Sequence, residues 1–113
     1  MRIAKIMPTR ITLMTVDGDL TTLQSLVGGD VQWIPLGDDS AMYVNENGRY
    51  LRMPENPIAT RLCLHYRAGL DPEDAIAGPA VVVGVSPHDG AEVDCPDTVV
   101  RTIRALGFTV NDG

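Results

Sequence analysis

Few side chains in this chain combine the type and the spacing that chemistry needs. Cys63, His65, His88 and Cys95 are the thiols and imidazoles that a zinc ion would ask for, with one residue inside the first pair and six inside the second. Neither spacing matches the CxxC or HxxxH patterns of zinc sites, and on a helix Cys63 and His65 point to different sides. A buried thiol beside surface imidazoles is the plainer reading. Ser86-Pro87-His88-Asp89 holds a hydroxyl, an imidazole and a carboxylate, yet VGVSPHDG departs from the GxSxG elbow, and its base and orienting acid are sequence neighbours. It reads as a connection after a strand. Asp17-Gly18-Asp19 lacks the further ligands and the closing Glu of a calcium loop, and reads as a turn and a helix cap. No catalytic or metal motif is complete, so neither an enzyme activity nor a cofactor is expected.

Charge is placed unevenly. From Arg49 to Arg67 there are four arginines and one acid, whereas from Ala68 to Val100 there are seven acids and no Lys or Arg. A solvated face is the ordinary cause of such a run. The functional alternative is a site made by Tyr43, Asn45, Tyr50 and Arg52, joined by Arg61, in which cation–π contacts and forked hydrogen bonds would hold an anionic or planar ligand.

The elements that must position these residues follow from periodicity. Arg2 to Met7 and Arg10 to Val16 alternate apolar and polar residues and predict two short strands. DGDLTTLQSLVGG changes period: Leu20, Leu23, Leu26 and Val27 share a helical face, Asp19 is a natural N-cap, and Gly28-Gly29 supplies the stop. VQWIPLG from Val31 predicts a strand that Pro35 pushes toward an edge or bulge. Ala41 to Met53 predicts a hairpin around Asn47-Gly48, the favoured pair for a two-residue type I′ turn. That register would sort Met42, Val44, Leu51 and Met53 onto one face and Tyr43, Asn45, Tyr50 and Arg52 onto the other.

Asn56-Pro57 predicts a helix start, with Ala59, Leu62, Cys63 and Tyr66 as its core stripe. Asp71-Pro72-Glu73-Asp74 repeats the device for a single turn. GPAVVVGV lacks polar alternation and predicts a central buried strand. Beyond the acidic loop Ser86 to Asp97, Val99, Val100, Ile103 and Leu106 recur at helical spacing, Gly107 caps the helix, and FTV offers a last short strand.

At 113 residues the chain suits one domain, 1–113. The expected fold is α+β: a mostly antiparallel sheet of about five strands with two main helices packed on it. The net charge of −6 argues against general nucleic-acid binding, which relies on Lys and Arg at phosphates. The longest uncharged stretch, Ala75 to Pro87, is broken by Gly78, Pro79 and Gly84, so no membrane span is expected. Lys5 and Arg10 interrupt any signal-like apolar core, which predicts a cytoplasmic protein with reduced cysteines. An open sheet edge near Pro35 leaves room for a homodimer.

Taken in order, the short helix ending in LQSLVGGDVQWIPL, then YVNENGRYLRMPENPIAT, the AIAGPAVVVG strand and the acidic loop before a final helix resemble a family of small bacteriophage and mobile-element proteins classed as a domain of unknown function. The resemblance runs from about Met1 to Gly107 and is most specific at Val27-Gly28-Gly29, Asn45-Glu46-Asn47-Gly48 and Asn56-Pro57 with Ala59-Thr60. It implies a small acidic protein in the cytoplasm of a bacterial host. The function expected from it is non-enzymatic, binding and modulating a host protein through the hairpin face or the acidic Asp71 to Asp97 segment. The alternative is a module that binds a small nucleotide-type ligand, and hydrolysis at Ser86, His88 and Asp89 is a third reading.

Overall fold

A computed structural model of the chain describes residues 1–69 and 74–112. Among them are seven strands and three helices, so the sheet is larger than the five strands expected and the helices number three rather than two. The chain runs β1 (Arg2–Met7), β2 (Arg10–Thr15), α1 (Leu20–Val27), β3 (Val31–Leu36), β4 (Ser40–Asn45), α2 (Pro57–His65), β5 (Ala80–Val85), β6 (Glu92–Val93), α3 (Asp97–Ala105) and β7 (Val110–Asp112). The order across the sheet is β3-β4-β5-β1-β2-β7. β6 extends the ladder of β5 at Gly84 and Val85, past the residues that pair with β1. Only β7 lies parallel to its neighbour, β2. The two- and three-residue strands β6 and β7 are too short to show a period of their own.

Helices cover both faces. Alternation along the strands sends Ile3, Ala41, Val81 and Val83 toward Leu23 and Val27 of α1. Ala4, Ile6, Met42, Val44 and Val82 point the other way, against Ile58 and Leu62 of α2 and Val99 and Ile103 of α3. Burying each Val, Leu, Ile or Met side chain among these is worth about 1.5–3 kcal/mol, and this double core accounts for the unbroken apolar run of β5.

The helix ends are built as their sequences predict. Asp19 accepts from the Thr22 amide at 2.8 Å, and Gly28, left-handed at φ 82°, donates to the Gln24 carbonyl at the other end of α1. Gly107 and Phe108 close α3 with amides to Arg104 and Ile103, a Schellman motif. Asn56 does more than cap. Its Oδ1 accepts from the Ala59 amide at 3.1 Å while its Nδ2 donates to the carbonyls of Ile6 at 2.8 Å and Gly78 at 2.9 Å, so one buried amide ties α2 to β1 and to the segment before β5.

The hairpin is not formed. Strand β4 ends at Asn45 and has β3 on one side and β5 on the other, which leaves no free edge for Arg49 to Met53. Two side-chain facts explain why Asn47-Gly48 does not make a type I′ turn. Asn45 turns its own Oδ1 onto the Asn47 amide at 2.7 Å, an Asx turn that ends the strand early. Gly48 is absent from the positive-φ residues, and a methyl group there would collide with the Ala77 carbonyl. The glycine serves a close approach between backbones, not a left-handed turn. After the loop the chain pairs at Glu55 with Ala77 instead. The single turn expected at Asp71-Pro72-Glu73 lies outside the described residues.

Candidate functional site

The segment from Glu46 to Met53 is a tightly wound loop, not a strand. Gly48 donates to the Asn45 carbonyl at 3.2 Å, Leu51 to Asn47 at 2.8 Å, Arg52 to Arg49 at 3.0 Å and Met53 to Gly48 at 2.9 Å. Its base is anchored on both sides. Asn45 is buried and donates through Nδ2 to the Val27 carbonyl at the end of α1 at 3.2 Å, and Met53 lies against Gly28 and Gly78. Held this way, the loop turns Tyr50 out to 87% exposure and Leu51 to 54%. Arg52 follows in the left-handed region at φ 56°, a conformation that costs a non-glycine residue energy and that the surrounding hydrogen bonds impose.

Beside the loop lies a cleft of about 300 Å³, lined by Gln32 of β3, Asn45, Arg49 and Tyr50 with Ala75 to Ala77 as its floor. The guanidinium of Arg49, one of the lining residues, pairs with Asp74 at 3.0 Å; both groups are well exposed, so the pair is worth at most about 1 kcal/mol. A second groove of about 380 Å³ lies between Arg61 and Leu64 of α2, Glu55 and Phe108, and Ala75 borders both hollows.

The five residues expected to make one site are thus divided. Asn45 and Tyr50 share the first cleft, Arg61 lines the second groove, and Tyr43 and Arg52 line neither. Tyr43 packs into the α1 side of the sheet. Burial and then the neighbouring Glu92 carboxylate push its hydroxyl well above the ordinary tyrosine range. The convergence of Tyr43, Tyr50, Arg52 and Arg61 on one ligand depended on a hairpin that does not exist.

The acids of the segment from Asp74 to Asp97 are occupied one by one. Asp74 pairs with Arg49, Asp94 accepts from the Arg2 amide at 2.8 Å, and Asp97 sits in the first turn of α3. Asp89 accepts from the Ala91 amide at 3.0 Å; that amide first, and then the Ser86 hydroxyl, holds its carboxyl below the usual range. Ser86 in turn accepts from the His88 amide, and no hydrogen bond among the described residues joins the His88 ring to either neighbour. The trio Ser86, His88 and Asp89 therefore builds a turn. Among the described residues no group of His, Cys, Asp or Glu is gathered closely enough to hold a metal ion, and Cys63 and Cys95 are buried and unpaired.

Two exposed residues were not singled out as candidates. Trp33, 51% exposed on the edge strand β3, stands opposite the half-buried Tyr43, and Leu51 faces water where the hairpin register would have buried it. The proline two positions after the single tryptophan was the available signal for the first: it marks an edge, and an aromatic on an edge strand is open on one side. Nothing local marks the second.

Residues 1–106 match the family described as Domain of unknown function (DUF3846). The chain belongs to that family. The match takes in the 46–53 loop, β3 and all three helices and stops short of β7, so every residue that lines the cleft lies within it. No curated protein and no solved structure matches the chain. No described helix is long and apolar enough to cross a membrane.

Proposed function

We propose that this DUF3846 protein is a non-enzymatic binding protein of bacteriophage or mobile-element origin that engages a host protein in the bacterial cytoplasm and modulates it. The origin and compartment rest on the motif resemblance described above. The observation that carries the binding reading is the presentation of Tyr50, Leu51 and Arg52 on a loop whose backbone is fixed by hydrogen bonds at both ends. Tyr and Arg are enriched among the residues that dominate protein interfaces, and a loop already held in shape loses little entropy when a partner covers it. A Tyr at 87% exposure contributes almost no burial to the fold, so its large apolar surface is free for a partner.

Affinity capture from host lysate with the tagged protein, beside a Tyr50→Ser/Leu51→Ser/Arg52→Ala variant, tests the reading. The expected result is a specific protein retained by wild type and lost by a variant whose circular dichroism is unchanged. Retention of every captured protein by the folded variant would sink it. A small anionic ligand is the second reading, favoured by the volume of the cleft beside Tyr50, which lies at the lower end of the range of about 300–1,000 Å³ typical of ligand pockets.

A further inference from the structure

Strand β3 ends the sheet, and among the described residues no strand pairs with its outer side. Which of its amides face outward follows from two hydrogen bonds. Glu46 donates to the Asp30 carbonyl, and Val85 donates to the Asp39 carbonyl, so even-numbered residues of β4 turn their backbone groups toward β3 and odd-numbered ones toward β5. With Gln32 opposite Val44 and Ile34 opposite Met42, the inner-facing residues of β3 are Gln32, Ile34 and Leu36. Val31, Trp33 and Pro35 therefore direct their backbone groups out of the sheet. Val31 and Trp33 each offer an N–H and a C=O; Pro35 offers a C=O alone. The proline sits at an outward position, where its missing N–H costs the native ladder nothing and shortens the edge available to another strand.

From this edge we infer a docking site for an extended, basic segment of another protein, added to β3 as a further strand. Two features select that occupant. The side chain of Trp33 is half exposed at the middle of the edge and offers apolar surface beside the incoming strand. Acids flank both ends, Asp30 with Glu46 at one and Asp38 with Asp39 at the other, and none of them is in a salt bridge among the described residues. Asp30 receives only a long hydrogen bond from Gln24 at 3.5 Å, and Asp39 one from Ser40 at 3.4 Å. The same charges oppose a second copy. Antiparallel self-pairing centred on Trp33 would set Asp30 opposite Leu36 and so beside the Asp38-Asp39 turn of the other molecule at both ends, in a chain already carrying −6. A strand with Lys or Arg at its ends and β-branched residues facing Trp33 meets both features.

The edge adjoins the candidate site, because Gln32 lines the same cleft as Tyr50. The inference thus rests on the binding reading and names the chemistry of the partner. Its test needs no host protein, so the two can fail separately. The probe is a fluorescein-labelled synthetic peptide of alternating Val and Thr with Lys at both ends, set against a twin with Glu at both ends, each added to the full chain. Anisotropy is expected to show binding of the Lys peptide at least about tenfold tighter than its twin at low salt, a gap that narrows as salt screens the flanking acids. The emission of Trp33, the single Trp, is expected to shift to the blue, and the Val31 and Trp33 amides are expected to exchange more slowly. Asp38→Asn/Asp39→Asn is expected to weaken the Lys peptide. Pro35→Val, which restores an outward N–H, is expected to tighten it by about two- to tenfold, the yield of one added hydrogen bond. Equal affinity for the two peptides, absence of binding, or protection at amides other than those two would overturn the inference. So would a wild-type dimer in sedimentation with Val31 and Trp33 already protected, which would assign the edge to a second copy.

Discussion

Replacing Asn56 should show that a residue legible as a helix cap is in fact a three-way tie. Its side chain is fully buried, accepts from Ala59 and donates to the carbonyls of Ile6 and Gly78. Asn56→Ala removes the cap, about 1 kcal/mol, and withdraws a donor from each of two buried carbonyls at about 1 kcal/mol apiece, so the cost should be about 2–4 kcal/mol. Against a total stability of about 5–15 kcal/mol this is a large fraction, and it should lower the urea midpoint by about 1–2 M in a denaturation followed by far-ultraviolet circular dichroism. Asn56→Asp separates the two roles. It keeps the acceptor for Ala59 but sets a carboxylate against two carbonyl oxygens that need a donor, so near neutral pH it should cost more than alanine. Burial and those oxygens would raise the folded pKa of the new carboxyl above its unfolded value of about 4, so the folded state would hold a proton that the unfolded state has released. The stability of this variant should therefore rise as pH falls through that raised pKa, the reverse of ordinary acid denaturation. An alanine variant within about 1 kcal/mol of wild type, or an aspartate variant matching wild type at neutral pH, would refute the reasoning, since a plain cap tolerates Asp and costs about 0.5–2 kcal/mol to delete.

Three shorter expectations follow from other parts of the fold. Gly84→Ala should destabilise by about 1–3 kcal/mol or more in the same assay, because its methyl would meet the Asp94 carbonyl just past the end of β6, and backbone cannot give way as a flexible side chain would. Burial raises the thiol of Cys63 to about 11 and that of Cys95 to about 12, so alkylation of the native protein near pH 8 should be slow and should complete only on unfolding. Both folded thiols stay protonated where unfolded ones ionise, so their contribution to stability is intact below about pH 8.5 and should be lost as pH climbs toward the folded values, measurable as an alkaline fall in melting temperature. The small-ligand alternative requires a thermal shift with a nucleotide-type compound that is abolished in Tyr50→Ala and survives Arg61→Ala, because the cleft contains the first residue and not the second.

Signals that act within a few residues were legible in the sequence, and those that depend on distant partners were not. Asp19 and Gly28, Asn56 with Pro57, and Gly107 with Phe108 mark helix ends through bonds made inside one turn, and all four ends stand where these residues put them. The uninterrupted apolar run of β5 announced a strand covered on both faces, and it pairs with β4, β1 and β6. Asn47-Gly48 misled because the same two residue types that favour a type I′ turn also serve other ends. Asn45 spends its side chain on Val27 and Asn47, and Gly48 is small to admit Ala77, a residue far along the chain. Once that hairpin is removed, the face-sorting argument that grouped Tyr43, Tyr50 and Arg52 goes with it. Tyr50 survives as a candidate for a different reason, its exposure on a fixed loop.

Among the described residues the buried polar side chains, Ser40, Asn45 and Asn56, are all satisfied by backbone atoms. The unsatisfied demand lies outside, in the aromatic and apolar side chains of Trp33, Tyr50 and Leu51 and in the outward amides of β3. Gln32 and Tyr50 line one cleft, so the edge and the loop form a continuous strip and not two unrelated patches. Pro35 limits that strip at its far end by removing one donor, while Asp30, Glu46, Asp38 and Asp39 set its charge. A surface that is sticky in the middle, acidic at its margins and short of one hydrogen bond discourages copies of itself and still admits a strand of opposite charge, which is the balance an edge must strike when it is kept open for a partner.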